Sequence, residues 1–266
     1  MTDPGTLVDL DRYPLFQATA RQQIIDDAKA TLASIGAAIL PGFLHQDGVA
    51  SLASEAVELA PVAYRREQML GAYGDESSTE PDPTHPTRRR SPYTMNAIAT
   101  DQLAAAGPTL SIYQWQPLID LIAEILELPA LYVLDDPMMR CNLTYLSDGD
   151  EHGWHFDGND FVVSLLLQPS ESGGAFEFAP NIASETEPNY DAVRAVMDEE
   201  PDTTQLLQLD PGTLALFQGR RALHRVTRVH GGRQRIIALL SYHETPGLVH
   251  EPDTHRRIFG RVAATT

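Results

Sequence analysis

His155 and Asp157 stand two residues apart in GWHFD, a run with the texture of a β-strand. In an extended chain, residues i and i+2 point to one face. The imidazole and the carboxylate therefore face one way, and Trp154 and Phe156 face the other. Spacing alone is a weak signal, because nine histidines and 37 acidic residues yield about one His-x-acid by chance, and a second occurs in His45-x-Asp47. His45 follows a turn and precedes a helical run, where Asp47 is accounted for as a helix cap. His155 and Asp157 differ in having a third group of the same chemistry, His224, on a later strand-like run.

Two imidazoles and one carboxylate on a single metal ion leave three positions open, the facial arrangement typical of non-haem iron(II) oxygenases. A structural site fills such positions, whereas a site that must hold a cosubstrate and dioxygen needs them vacant. Eleven positions after His224 comes Arg235, in the strand RQRIIALLSYH. Its guanidinium fork can bind a carboxylate bidentately, and Ser241 shares its face by period two. An arginine in so apolar a strand calls for an anionic partner.

Composition narrows the site further. The 266 residues include one cysteine, Cys141, which excludes an intrachain disulfide, a zinc finger and an iron–sulfur cluster, so any metal rests on nitrogen and oxygen. A net charge of −18 repels phosphate backbones, and nucleic acid is not an expected partner. No stretch reaches about 18 uninterrupted apolar residues, and MTDPGTLVDLDRY lacks the basic and apolar regions of a signal peptide. The expectation is a cytoplasmic protein with no membrane segment and with a small-molecule substrate; oligomeric state is not legible.

These residues need a scaffold. Residues 17–35 suit an amphipathic helix ended by Gly36, followed by a short strand, AAIL, and a turn at Pro41-Gly42. A second helix is expected from Asp47 as N-cap. Residues 71–92, rich in Gly, Pro, Ser and Thr and ending in Arg88 to Arg90, read as a loop, either a lid or a docking surface. Helical periodicity returns over 112–127, with Pro117 in a first turn. Seven strand-like runs cut by Gly-containing turns then follow, and residues 182–209, with the helical NYDAVRAVMDEE, look like an insertion between strands. The fold class is therefore mainly β with flanking helices. One domain over 1–266 is expected: helices, edge strand and loop in 1–135, a strand-built core in 136–245, and a tail in 246–266.

The set WHFD, GGAFEF, GTLALFQG, LHRV and RQRIIALLSY resembles the double-stranded β-helix core, a cupin-like jelly roll, of the iron(II)/2-oxoglutarate-dependent dioxygenases. The resemblance covers residues 136–245 and implies that His155, Asp157 and His224 bind iron(II). It also implies that Arg235 holds the distal carboxylate of 2-oxoglutarate, and that dioxygen and a C–H substrate are consumed with release of succinate and CO2. WHFDGNDFVVSLLLQ, GGAFEFAPNI and LHRVTRVHGGRQRIIALLSYHETPG further resemble the branch containing halogenases and hydroxylases of free amino acids. Halogenases of that branch have Gly in place of the carboxylate ligand, making room for chloride. Asp157 departs from them and implies hydroxylation, with a free amino acid as substrate, basic ones included.

The supporting residues are less sharply defined. Asn142 and Thr144 share one strand face, either as donors to 2-oxoglutarate or as ordinary strand polar groups. His152 is either a substrate contact, as the resemblance implies, or a turn histidine. Arg90 is a candidate for a substrate carboxylate, with spacing unable to choose among Arg88, Arg89 and Arg90. His230, His243, His250 and His255 have no partner legible in the sequence. Three alternatives stand beside the main reading: a cupin-like metal enzyme without 2-oxoglutarate, a hydroxylase of carrier-tethered or peptide substrates, and a jelly-roll binding module.

Overall fold

The computed structural model describes residues 3–74, 78–184 and 186–264. Helix α1 (Ala18–Ile35) ends at Gly36, whose φ of 72° supplies the left-handed conformation that turns the chain into strand β1 (Ala37–Leu40). Helix α2 (Gln46–Leu59) is capped by His45, not by Asp47: the His45 Nδ1 accepts the Gly48 N–H at 3.1 Å, and Asp47 sits in the first turn, where a negative charge favours the helix N-terminus.

The expected loop over 71–92 is shorter than its composition implies. Strands β2 (Tyr64–Gly71) and β3 (Arg90–Ile98) form a long antiparallel hairpin, in register from Tyr64↔Ala97 to Gly71↔Arg90. The loop is confined to residues 72–89, of which 75–77 lie outside the described residues. The helical stretch expected over 112–127 divides into α3 (Pro108–Tyr113) and α4 (Gln116–Ile125). Trp115 is extended between them, and Pro117, in the first turn of α4, has no N–H with which to continue α3.

The remaining strands are β4 (Tyr132–Val133), β5 (Cys141–Leu146), β6 (His152–His155), β7 (Val162–Gln168), β8 (Ser172–Gly173), β9 (Phe176–Ala179), β10 (Gln205–Leu207), β11 (Leu214–Phe217), β12 (Leu223–Val226), β13 (Val229–His230), β14 (Arg235–Leu240) and β15 (Tyr242–His243). All seven strand-like runs of the sequence are strands. The stretch 182–209 holds helix α5 (Tyr190–Met197) and also β10, which extends the sheet on β9. An eleven-stranded antiparallel sheet curls in the order β1-β11-β7-β14-β5-β3-β6-β12-β9-β10, with β2 on β3. Strand β3 is the seam. Its Asn96–Ile98 pair with β5, and its Tyr93 faces His152 of β6. The turn between β5 and β6 is pinned by the buried Asp150, which accepts from Arg65, Asn96 and the Ser147 N–H.

Alternation divides the sheet residues between two environments. On the outer face Cys141, Leu143, Tyr145, Leu165, Ile236 and Ala238 pack with Ile25, Leu52, Leu118 and Ile122 of α1, α2 and α4 in the main core. On the inner face Thr144, Ser164, Ala215, Arg235 and Ile237 line a cavity. Among the described residues no helix is long and apolar enough to cross a membrane.

Helix α6 (Pro252–Phe259) closes one end of that cavity and is moored by Asp136, which is wholly enclosed. Its carboxylate accepts from the N–H groups of Met138, Met139 and His250 and from the His255 ring at 2.8 Å. Burial alone would raise its pKa, but these donors, led by the His250 N–H, draw it down to about 2. A depressed carboxyl stabilises the fold above its unfolded pKa of about 4 and loses that contribution as pH falls toward 2. Urea titrations of the metal-free protein are expected to lose about 2 kcal/mol more between pH 4 and pH 2 than the Asp136→Asn variant does. Parallel curves would remove Asp136 from acid stability.

Candidate metal centre and cavity

Strands β6 and β12 pair with His155 directly opposite His224, so both imidazoles leave the sheet on one face, with ring centroids 4.2 Å apart. Each ring is fixed by the carbonyl two residues earlier: Nδ1 of His155 lies 2.7 Å from Gly153 O, and Nδ1 of His224 lies 2.9 Å from Ala222 O. A carbonyl only accepts, so in the neutral rings both protons sit on Nδ1 and both Nε2 lone pairs are free. Those lone pairs converge on the Asp157 carboxylate, at 3.7 Å from His155 and 3.3 Å from His224. All three ligand atoms lie within 4.8 Å of one another.

Asp157 is not itself in the strand. Strand β6 stops at His155, and Asp157 is held by its N–H to Gly219 O at 3.1 Å. Gly219 leaves the space the carboxylate fills: a Cβ there would come within 2.4 Å of Asp157 Oδ2 and 2.8 Å of its Cβ. Phe176 stacks on the His224 ring at 5.5 Å, and Phe217 meets it edge-on at 5.0 Å. Burial first, and then the neighbouring His224, lower the His155 pKa to about 4 against the opposing pull of Asp157. The imidazole is therefore neutral, and available as a ligand, at neutral pH.

The cavity beside these residues has a volume of about 440 Å³, within the usual range for small-molecule sites. Arg235 opens β14 on its inner face, 6% exposed, and no protein group among the described residues hydrogen-bonds or ion-pairs with its guanidinium. Burial lowers its pKa to about 10, so at neutral pH it remains a buried cation without an anion. Gly174 makes room for its stem: at φ 64° it places its Cβ position 3.1 Å from Arg235 Cδ.

Of the other sequence candidates, Thr144, Ser241 and His152 line the cavity. His152 stacks on Tyr93 at 4.3 Å and 7°, and its Nε2 is buried without a hydrogen-bond partner among the described residues. Burial, then the charges of His155, Arg235 and His224, hold its pKa well below the ordinary range. Asn142 is engaged elsewhere, its Nδ2 donating to Met138 O at 2.8 Å. The three arginines of the 88–90 run are also engaged away from the cavity: Arg88 with Glu80 O, Arg89 with Asp198 and Met197 O, and the exposed Arg90 with Met69 O across the hairpin. Sequence reasoning missed Gly219, beside Asp157, and, at the cavity, the β3 pair Tyr93 and Met95 and the C-terminal His250, Thr254, Arg257 and Ile258. The alternation in SPYTMNAI was the available signal for β3.

The family described as Halogenase D matches residues 20–259. No curated protein matches the chain. Among solved structures, the chain is similar to an oxidoreductase of the 2OG-Fe(II) oxygenase family from Burkholderia pseudomallei, at 14% identity over 84% of this chain and 92% of that one, with a TM-score of 0.53. It is similar to the non-heme alpha ketoglutarate dependent epimerase SnoN from nogalamycin biosynthesis, at 15% over 84% and 83%, TM-score 0.57. HygX from Streptomyces hygroscopicus, whose structure holds nickel and 2-oxoglutarate, matches at 13% over 81% and 85%, TM-score 0.54. At these identities the likeness establishes the fold, a double-stranded β-helix with flanking helices.

The arrangement has a test that needs no turnover. In Gly219→Ala the added methyl must displace the Asp157 carboxylate, so Mn(II) affinity, read by calorimetry, is expected to fall at least tenfold with the melting temperature changed by a few degrees only. Undiminished Mn(II) binding would remove Asp157 from the ligand set.

Proposed function

The chain belongs to the Halogenase D family, and from that membership and the geometry of the cavity we propose that it is an iron(II)- and 2-oxoglutarate-dependent oxygenase that hydroxylates an unactivated C–H of a free amino acid. The observation that carries the reading is the pairing, in one cavity, of an all-N/O facial donor set with a buried arginine lacking an anion. Iron fits the donors His155, Asp157 and His224. A dicarboxylate cosubstrate fits Arg235, whose isolation in the protein would otherwise cost several kcal/mol. A cupin-like enzyme without 2-oxoglutarate has no use for that cation.

Bound iron with 2-oxoglutarate supplies oxidative chemistry at a C–H bond, with succinate and CO2 as coproducts. The chain's own residues hold and enclose. Gly153 O and Ala222 O set the tautomers of His155 and His224, and Phe176 and Phe217 pack on the His224 ring. Arg235 sets the orientation of the cosubstrate from β14, and the apolar Ile237 and Leu239 on the same face keep that wall dry. Ser241 and Thr144 add hydroxyls within the cavity.

A specific observation bears on the second reading, halogenation, which the family's description favours. Asp157 supplies a carboxylate beside both imidazoles, at the position a halide would need. With iron(II), 2-oxoglutarate, chloride and a panel of free amino acids under air, mass spectrometry is expected to find a gain of one oxygen and no chlorine isotope pattern. Chlorinated product from the native chain would overturn hydroxylation. His224→Ala should abolish succinate release, and Arg235→Ala should raise the 2-oxoglutarate KM at least 100-fold, since truncating one partner of a buried charge pair costs about 3 kcal/mol. Retained succinate release in His224→Ala would sink the ligand assignment.

A further inference from the structure

The cavity is not lined evenly. Strand β3 reaches the concave face of the sheet through Ala97, which pairs with Thr144 of β5, and by period two Tyr93 and Met95 lie on that face as well. Tyr93 of β3, Met139 of the turn before β5, and Ile258 of α6 pack against the buried cluster of Met95, Ala97, Met138 and Phe259. Four of these side chains, Tyr93, Met95, Met139 and Ile258, also line the cavity and give it an apolar wall. Tyr93 carries that wall to the metal ligands, its ring meeting His155 edge-on at 5.1 Å. Phe176 and Phe217 pack on His224, so each ligand imidazole has an apolar neighbour. Carboxylates are scarce beside these surfaces. Among the described residues that line the cavity Asp157 is the one acidic side chain, and it belongs to the donor set.

A cationic side chain brought against this wall would surrender its hydration with no carboxylate to replace it, because Asp157 is committed to the metal. An aliphatic chain gains by the same burial. Resting on the oxygenase reading, we propose that the wall of Tyr93, Met95, Met139 and Ile258 determines substrate specificity, and that the amino acid it admits carries an uncharged aliphatic side chain, not an ammonium or a guanidinium. The net charge of −18 belongs to the chain as a whole and has no counterpart in this wall. Two thioethers suit the role. Methionine is unbranched and adapts to the outline of its neighbours, so the wall can follow linear and branched aliphatic chains alike.

The test uses the full chain loaded anaerobically with iron(II) and 2-oxoglutarate, whose visible charge-transfer band reports the loaded centre before any amino acid is added. L-norleucine and L-lysine, and likewise L-norvaline and L-ornithine, differ by one terminal ammonium, and all four are titrated calorimetrically. In the native protein at least one uncharged member is expected to bind at least tenfold more tightly than its charged partner. In Met139→Glu and Ile258→Glu, each of which sets a carboxylate on the wall, that preference should narrow at least tenfold, whereas in Met139→Leu and Ile258→Leu it should persist. The band in each variant reports that its centre still forms, and the native titrations decide the substrate class without any variant. Equal or tighter binding of both charged partners, or no binding of any of the four to the loaded native protein, overturns the proposal, as does a preference untouched by both glutamates. Absence of the band in the native protein overturns the oxygenase reading on which it rests, and is seen before any amino acid is added.

Discussion

The two-residue period of a β-strand, imposed on a sheet curled around an interior, governs nearly everything in this molecule. Each central strand must satisfy an apolar helical layer on its convex side and a polar cavity on its concave side. Strand β14 shows the division: Ile236 and Ala238 are in the helical core, while Arg235, Ile237 and Leu239 face the cavity. A slip of one residue would turn the Arg235 guanidinium to the helical side of the sheet and put an isoleucine in its place on the cavity wall. Register is therefore strongly specified wherever the helices cover the sheet. The pairing of His155 with His224 inherits that precision from its neighbours.

Charge is distributed in the interior by the same logic. The His155 imidazole is kept neutral first by burial and then by its neighbour His224, whereas Arg235 keeps its charge because a guanidinium binds its proton too tightly for burial to remove it. The cavity thus sets two imidazoles and the Asp157 carboxylate beside a fixed cation, Arg235. Asp136 is the reverse case, a buried anion whose valences are filled by backbone and imidazole donors, so that it acts on structure and not on solutes.

The sequence was legible where a short run carries its own period or punctuation. The seven strand runs, the end of α1 at Gly36 and the first turn of α4 at Pro117 fall in this class. The convergence of His155, Asp157 and His224 was legible because WHFD and LHRV are local and the lone cysteine left only nitrogen and oxygen donors. What was hidden depends on residues far apart. The β2–β3 hairpin was obscured by a turn-rich loop whose composition spilled over its paired ends, and the hydrogen bond from Arg90 to Met69 O across it was not in view. Gly219 is a vacancy for a side chain 62 residues earlier, which no local pattern announces. His250 and His255 acquire partners only through Asp136, 114 and 119 residues away.

The seam at β3 has a consequence for the order in which the molecule forms. A strand laid down early must wait for β5 on one side and β6 on the other, while β12 must find β6 across a long excursion that includes α5. The loops that must close are long, and the entropy of closing them is spent before the pairings return anything. Such a topology belongs to the slow range of folding, milliseconds to seconds, while helical turns in α1 and α4 form and melt on the microsecond scale. Until the sheet closes, the apolar faces of β5, β7 and β14 lack their cover, and the helices that pack on them in the native core are the chain's own protection against association with its neighbours.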